Sequence, residues 1–93
     1  MSLNRFAARR DANEGPLVAA AIQLGAEWVK APPLDGWVGW QRCWIPVEIK
    51  TVKGKYTDAQ VKFLTCCKIR GLPVFTWRTL EDVTASLGAK VTA

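Results

Sequence analysis

The sequence contains no histidine. Without an imidazole the chain has no histidine-dependent nucleophilic triad, no histidine general base and none of the usual zinc sites with histidine ligands. Any chemistry at a functional site must therefore use other side chains, such as carboxylates and lysines.

Cysteine is also scarce, and the three residues present are Cys43, Cys66 and Cys67, with no CxxC spacing. An odd number without that spacing argues against a disulfide scaffold and offers too few ligands for a zinc site. Because Cys66 and Cys67 lie within a helical pattern, we expect at least one of them in the core. This cysteine usage favours a reducing compartment, and we predict a cytoplasmic location.

Long apolar runs are missing as well. The longest spans Leu17 to Ile22, whereas a helix needs about 20 apolar residues to cross a membrane. We therefore expect no membrane partner. The apolar fraction of 49% is typical of a globular protein. A length of 93 residues predicts a single domain spanning 1–93.

Positive charge exceeds negative charge. Thirteen Lys and Arg residues against eight Asp and Glu residues give a net charge of +5. This charge suits a polyanionic partner such as nucleic acid or an acidic membrane, although an ordinary basic surface has the same composition. The five tryptophans are many for so short a chain. We expect some of them in the core, and others either on a dimer surface or at a surface where they stack on bases.

Cap signals predict three helices. The first begins near Asp11–Glu14, where Glu14 has the capping-box position, and it ends at Gly25. Two further capping boxes predict helices over 57–70 and 79–87. Residues 1–10 read as a basic arm, and residues 88–93 are expected to be a frayed tail.

Four strands are predicted, over 26–30, 36–40, 43–51 and 72–77. In the third of them, Pro46 indicates an edge strand or a bulge. The resulting order is helix, three strands, helix, strand, helix. This order predicts an α/β domain with a mixed central sheet of about four strands flanked by helices.

The third strand carries the candidate chemistry. Glu48 and Lys50 share one face of it and stand about 7 Å apart along the chain, while its other face is apolar. A protein without histidine can hydrolyse phosphodiesters with a divalent metal held by carboxylates. The metal activates water and offsets the negative charge that develops on the phosphate. A neighbouring lysine can position the attacking water or help to deprotonate it. Alone the pair is a weak signal, because exposed strands often alternate Glu and Lys.

Three further residues lie where a metal site on that strand would need them. Asp35 heads the preceding strand, Glu14 opens the first helix, and Gln60 faces the sheet from the second helix. Each also has an ordinary structural interpretation: a turn aspartate before Gly36 for the first, and capping-box residues for the other two. Their joint occurrence favours a site for phosphodiester hydrolysis.

Several segments resemble the VRR-NUC family of the PD-(D/E)xK nuclease superfamily. They are Arg10-Asp11-Ala12-Asn13-Glu14, Pro33-Leu34-Asp35-Gly36-Trp37-Val38-Gly39, Val47-Glu48-Ile49-Lys50, Thr57-Asp58-Ala59-Gln60, Gly71-Leu72-Pro73-Val74 and Arg78-Thr79-Leu80-Glu81-Asp82. They occur in the family's order over residues 9–87. One departure is Leu34, which separates Pro33 from Asp35 where the family has adjacent Pro and Asp. The superfamily core, αβββαβ, has the predicted element order, so the resemblance implies this nuclease fold with an added C-terminal helix.

The resemblance also implies a function. It implies a Mg²⁺- or Mn²⁺-dependent DNA endonuclease that acts as a homodimer on branched DNA such as Holliday junctions. Stand-alone members of the family resemble viral and bacterial proteins of this kind. If this protein is viral, the implied location is the cytoplasm of the host. The implied metal ligands are Glu14, Asp35, Glu48 and the backbone carbonyl of Ile49. Lys50 would be the catalytic lysine. Gln60 would contact either the substrate or a side chain that binds the metal.

Basic side chains are expected to contact DNA phosphates. The candidates are Arg9, Arg10, Lys53, Lys55 and Lys62. One alternative is a non-catalytic nucleic-acid-binding module of the same fold. Its main phosphate contacts would come from Lys53, Lys55, Lys62, Lys68 and Arg70. Another is an interaction subunit with a tryptophan-rich interface. A pure binder gains nothing from three acids beside a polyanion, so the carboxylates favour the enzyme.

Overall fold

A computed structural model describes residues 14–88 and shows an α/β domain with a four-stranded mixed sheet and three helices. The elements are α1 (Glu14–Gln23), β1 (Glu27–Val29), β2 (Gly36–Trp40), β3 (Cys43–Ile49), α2 (Asp58–Arg70), β4 (Phe75–Trp77) and α3 (Leu80–Leu87). Their order confirms the predicted one. The basic arm, the capping residue Asp11 and the tail beyond Gly88 lie outside the described residues.

The sheet has the strand order β1-β2-β3-β4. The first three strands form an antiparallel meander, and β4 pairs with β3 in parallel. A parallel pair needs a crossover connection, and the segment containing α2 provides it. Strand β3 is therefore interior, with Val47 opposite Gly36 on one side and Phe75 on the other.

Pro46 lies in this interior strand, so the predicted edge strand is wrong for β3 as a whole. Pro46 pairs with Trp37 of β2, whereas pairing with β4 begins only at Val47. At the proline, β3 thus has one neighbouring strand. The missing N–H there removes no hydrogen bond to β4, which explains how an interior strand accommodates proline.

Strand β4 is shorter than predicted because the preceding residues cap helix α2. Gly71 adopts a left-handed conformation with φ 69°, and the N–H of Leu72 donates to the Cys67 carbonyl at 2.9 Å. Pro73 has no N–H to give to a strand. The segment 72–74 therefore ends the helix, and pairing with β3 begins at Phe75.

The main core lies between the sheet and helices α1 and α3. Its central residue is Trp77, whose ring stacks with those of Trp28 and Phe75 at centroid distances of 6.1 and 6.2 Å. The buried side chains around it are Leu17, Ala21, Val38, Ile45, Val47, Ile49, Val83 and Leu87. The apolar face of β3 is therefore buried as predicted, and strand alternation directs Glu48 to the opposite face.

Helix α2 covers that opposite face only in part. Cys67 is its buried residue, and Phe63 is half-buried against a cavity of about 270 Å³ that Trp37 and Pro46 line from the sheet. Cys66 is exposed. The prediction that at least one of the adjacent cysteines is core is confirmed. Within residues 14–88, no helix is long and apolar enough to cross a membrane.

Candidate active site

Asp35 lies directly before β2 and is bound to β3 by both its backbone and its side chain. Its N–H donates to the Val47 carbonyl at 3.1 Å, and its Oδ2 accepts from the Ile49 N–H at 2.7 Å. These two bonds continue the β2–β3 pairing past its last residue pair and hold the carboxylate beside Glu48. The hairpin spacing predicted this proximity.

Gly36 permits the close approach of β1 to the start of β2, directly after Asp35. A Cβ atom at Gly36 would lie 2.3 Å from Cζ2 of Trp28 and 2.7 Å from the Val29 carbonyl oxygen. No side chain fits there without displacing β1 or the indole that stacks on Trp77. The glycine after Asp35 is thus required by packing, and its role goes beyond that of an ordinary turn residue.

The Glu48 carboxylate is the most buried charged group of the site, with 2% of the residue exposed. Its Oε2 accepts from Gln60 Nε2 at 2.7 Å and forms an ion pair with Lys50 Nζ at 3.0 Å. Its Oε1 is buried and has no hydrogen-bond partner among the described residues. Burial raises the pKa of Glu48 above its ordinary value; the hydrogen bond from Lys50 opposes the rise, and the negative charge of Asp35 adds to it.

Lys50 follows the last residue of β3. Its N–H donates to the Trp77 carbonyl at 3.0 Å, so the backbone continues alongside β4 for one more residue. The side chain is 15% exposed and turns onto Glu48. The predicted sharing of one face by Glu48 and Lys50 is therefore confirmed, and the two side chains are in direct contact.

Gln60 has both of the roles that its sequence position allows. It completes a capping box, because its Oε1 accepts from the Thr57 N–H at 2.9 Å and its own N–H donates to Thr57 Oγ1 at 3.2 Å. The cap fixes the orientation of the amide, and the Nε2 group then donates to Glu48. A local helix signal thus positions a side chain of the site.

Glu14 is buried, and its carboxylate is paired with Lys30. Lys30 Nζ lies 3.1 Å from Oε2 and 3.3 Å from Oε1 of Glu14, and 3.4 Å from the backbone carbonyl of Asp35. Sequence analysis did not single out Lys30, because a lysine after a short strand has no distinguishing pattern. Its ammonium links the start of α1 to the segment that carries Asp35.

The structure brings Asp35 and Glu48 together and leaves Glu14 bound to Lys30. Over residues 14–88, no group of three or more His, Cys, Asp or Glu side chains is arranged to hold a metal ion. Ile49 meets Asp35 through its N–H. The roles of Glu14 and of the Ile49 carbonyl as metal ligands stay predictions.

Two carboxylates nevertheless fit a small divalent cation. Mg²⁺ is commonly held by one or two carboxylates, with waters and substrate phosphates completing its coordination. An unpaired buried carboxylate oxygen is costly, and Oε1 of Glu48 is such an atom. A cation between Asp35 and Glu48 would pair that oxygen and offset the repulsion between the two acids. The residues present therefore suit such an ion.

The predicted DNA-contacting lysines are exposed. Lys53 and Lys55 lie in the loop after Lys50, and Lys62 lies on α2. Arg9 and Arg10 lie outside the described residues. These three lysines are thus available to a polyanion. Lys53 and Lys55 lie in the loop that follows Lys50 in the chain.

Arg78 fixes the conformation of the loop that carries Lys53 and Lys55. Its Nη1 donates to the carbonyls of Thr51 at 2.7 Å and Gly54 at 2.8 Å, with Val52 at 3.3 Å. Its guanidinium also lies 5.8 Å from the centre of the Tyr56 ring. Sequence analysis included Arg78 only within a motif. No local signal connects it to a loop so far away in the chain.

Replacing Arg78 with Lys is expected to lower the free energy of unfolding by about 1–2 kcal/mol. Lysine keeps the charge but has a shorter side chain to reach the three carbonyls and lacks the flat guanidinium that lies over the Tyr56 ring. Chemical denaturation measures the change. Arg70→Lys is the matched control, because Arg70 is exposed and donates to Cys66 Sγ only four residues away. An equal loss in both variants would contradict the assigned role of Arg78.

Comparison with known proteins gives no relative from which to transfer a function. No protein-family model, no curated protein and no solved structure matches the chain. The resemblance to the VRR-NUC family therefore stays a prediction, and the function must be argued from the geometry of Asp35, Glu48, Lys50 and Gln60.

Proposed function

We propose that this protein is a divalent-metal-dependent nuclease that hydrolyses phosphodiester bonds in DNA at the site formed by Asp35, Glu48, Lys50 and Gln60. The observation that carries the proposal is the state of the Glu48 carboxylate. One oxygen is bound by Lys50 and Gln60, and the other is buried without a partner beside a second acid. Buried polar atoms with a purely structural role are normally paired, so the unpaired Oε1 of Glu48 favours a cation site.

Each residue of the site has a separate task in this proposal. Asp35 and Glu48 would hold Mg²⁺ or Mn²⁺, which activates water and offsets the charge that develops on the phosphate. Gln60 holds the Glu48 carboxylate in place through its Nε2 group. Lys50 contacts Glu48 through Nζ with its side chain 15% exposed, and it would orient the attacking water or a phosphate oxygen.

The substrate, the assembly state and the location are further parts of the proposal. A net charge of +5 and the exposed lysines Lys53, Lys55 and Lys62 support DNA as the polyanion. The resemblance supports branched DNA, such as a Holliday junction, and a homodimer in the cytoplasm, that of the host if the protein is viral. A two-fold dimer would present two sites for paired cuts.

The direct test uses purified protein with Mn²⁺ and a matched set of DNA substrates: single strand, duplex, flap, splayed arm and four-way junction. We expect cleavage that EDTA removes, with the highest rate on the branched forms. If no form is cut with Mg²⁺ or Mn²⁺, the enzyme assignment is wrong. Equal rates on all forms would remove the branched-DNA part alone.

Dimerisation predicts a solution mass twice the 10.3 kDa of the chain. Light scattering after size exclusion measures this mass over the concentrations used for cleavage. The expectation rests on the tryptophan content, on the small size of the domain and on the resemblance. A stable monomer at those concentrations would contradict the version with paired cuts.

A non-catalytic nucleic-acid-binding module of the same fold is the second candidate, and one observation favours it. Lys30 holds the Glu14 carboxylate, so the structure brings two acids rather than three together at the site. The same set of substrates decides between the candidates. Binding to DNA without cleavage in Mn²⁺ would identify the binding module.

A further inference from the structure

The β2–β3 hairpin has an unfavourable turn sequence. Trp40 pairs with Cys43, which leaves Gln41 and Arg42 as a two-residue loop with φ values of 50° and 72°. A turn with positive φ at both positions favours Asn-Gly, because larger side chains are strained there. This chain instead holds two long polar side chains at the tip, and strain of this kind often accompanies a binding role.

Trp44 presents a supported aromatic ring next to this turn. The residue is 52% exposed. Its partner across the strands is Gly39, and a Cβ atom at Gly39 would lie 3.1 Å from both Cη2 and Cζ3 of the indole. The six-membered ring therefore lies against the glycine, which backs it from one side. A flat ring that is held in place and open to solvent is a stacking surface for a nucleobase.

Arg42 and Trp44 are two residues apart, and both line one cavity at the hairpin. The cavity has a volume of about 390 Å³, and its lining includes Trp40, Arg42 and Trp44. Within residues 14–88, Arg42 makes no ion pair, so its charge is available to a ligand. A guanidinium beside a stacking ring suits a nucleotide, with its phosphate at the arginine and its base on the indole.

We propose that this hairpin tip binds an unpaired nucleotide of a DNA strand, with the base stacked on Trp44 and the phosphate paired with Arg42. The inference rests on the proposed function for its ligand class and adds the substrate feature that is selected. Trp44 and Glu48 lie on the same face of β3, about 13 Å apart along the strand. One rigid strand thus carries both the base-binding ring and the candidate active site, which favours cutting near unpaired bases.

The test compares a labelled single strand of thymidylates with an abasic strand of equal length, by fluorescence anisotropy in EDTA. Both strands carry the same phosphates, so any difference in affinity between them reports base contacts. We expect the full-length chain to bind the thymidylate strand more tightly. W44A should weaken that binding about tenfold and remove the difference, whereas W44F, which keeps a ring, should retain most of it.

The matched control is I69A, which removes an apolar side chain that is 75% exposed on α2. I69A should leave both affinities unchanged. R42A should weaken binding of both strands and reduce the slope of log affinity against log salt by about one. A W44A protein that still prefers the thymidylate strand, or one that loses affinity for both strands equally, overturns the proposal.

Exchanging the turn gives an independent measurement. Q41N/R42G introduces the sequence that this turn prefers, so the melting temperature should rise by a few degrees while DNA affinity falls. A rise in stability with unchanged affinity would count against a binding role for Arg42. Cleavage by the wild-type chain separates this inference from the proposed function. Base-dependent binding without any cleavage rejects the nuclease alone, and cleavage without base-dependent binding rejects the hairpin site alone.

Discussion

Replacing Glu48 with Gln is expected to lower the rate of DNA cleavage about a thousandfold while the domain remains folded. Glutamine has nearly the same shape, so the packing under Gln60 and Lys50 is kept. What it lacks is the negative charge that, with Asp35, would hold a divalent ion. Because burial raises the pKa of Glu48, the neutral amide also relieves an unfavourable buried charge. The melting temperature in EDTA should therefore not fall.

Lys50→Met is the companion change at the other half of the pair. Methionine keeps the apolar stem and removes the ammonium, so we expect a loss of cleavage of about 10²- to 10⁴-fold, with DNA affinity nearly unchanged. Lys62→Met is the matched control, because Lys62 is exposed on α2 and outside the site. Its effect should be confined to a small loss of DNA affinity. Cleavage at the wild-type rate by both Glu48→Gln and Lys50→Met would end the nuclease assignment.

The parts of this site that sequence analysis predicted depend on local backbone geometry. Glu48 and Lys50 meet because strand residues two apart share a face. Gln60 faces Glu48 because a capping box at Thr57 fixes where α2 begins. Asp35 reaches β3 because a short hairpin brings the start of one strand to the end of the next. In each case few degrees of freedom separate the sequence pattern from the side-chain position.

The contacts that escaped prediction join distant segments through long side chains. Lys30 could turn toward solvent or toward any nearby acid, and only the packing of α1 against the sheet places Glu14 within its reach. Arg78 likewise donates to three carbonyls of a loop that lies more than twenty residues earlier in the chain. A long side chain has many rotamers, and the tertiary structure determines which one it adopts. Residue type and spacing therefore do not predict such pairings.

The same limit explains the largest difference between the predicted and observed site. Three carboxylates were expected as metal ligands, and the structure brings two of them together. The third, Glu14, is paired with the ammonium group of Lys30, whose position no sequence pattern predicts. The ammonium of Lys30 can take the place of a metal cation beside Glu14. Glu14 would then become the third ligand only when a bound ion displaces Lys30.

Adding Mn²⁺ is expected to raise the melting temperature by about 10–20 °C when its concentration is a hundred times the dissociation constant. An ion bound only by the folded chain stabilises it by about 2.7 kcal/mol under that condition. The physical source is the pairing of Oε1 of Glu48 and the relief of repulsion from Asp35. Thermal denaturation with and without Mn²⁺ measures the shift and requires no DNA and no cleavage.

Matched variants assign that shift to particular carboxylates. Asp35→Asn and Glu48→Gln should each lose most of it, whereas Asp58→Asn removes an exposed acid at the start of α2 and should keep it. An equal shift in all three would mean that Mn²⁺ binds elsewhere. Glu14→Gln then distinguishes two ligands from three. A full shift would mean that Glu14 stays with Lys30, whereas a reduced shift as large as that of Asp35→Asn would mean that the ion displaces the lysine and recruits the third carboxylate.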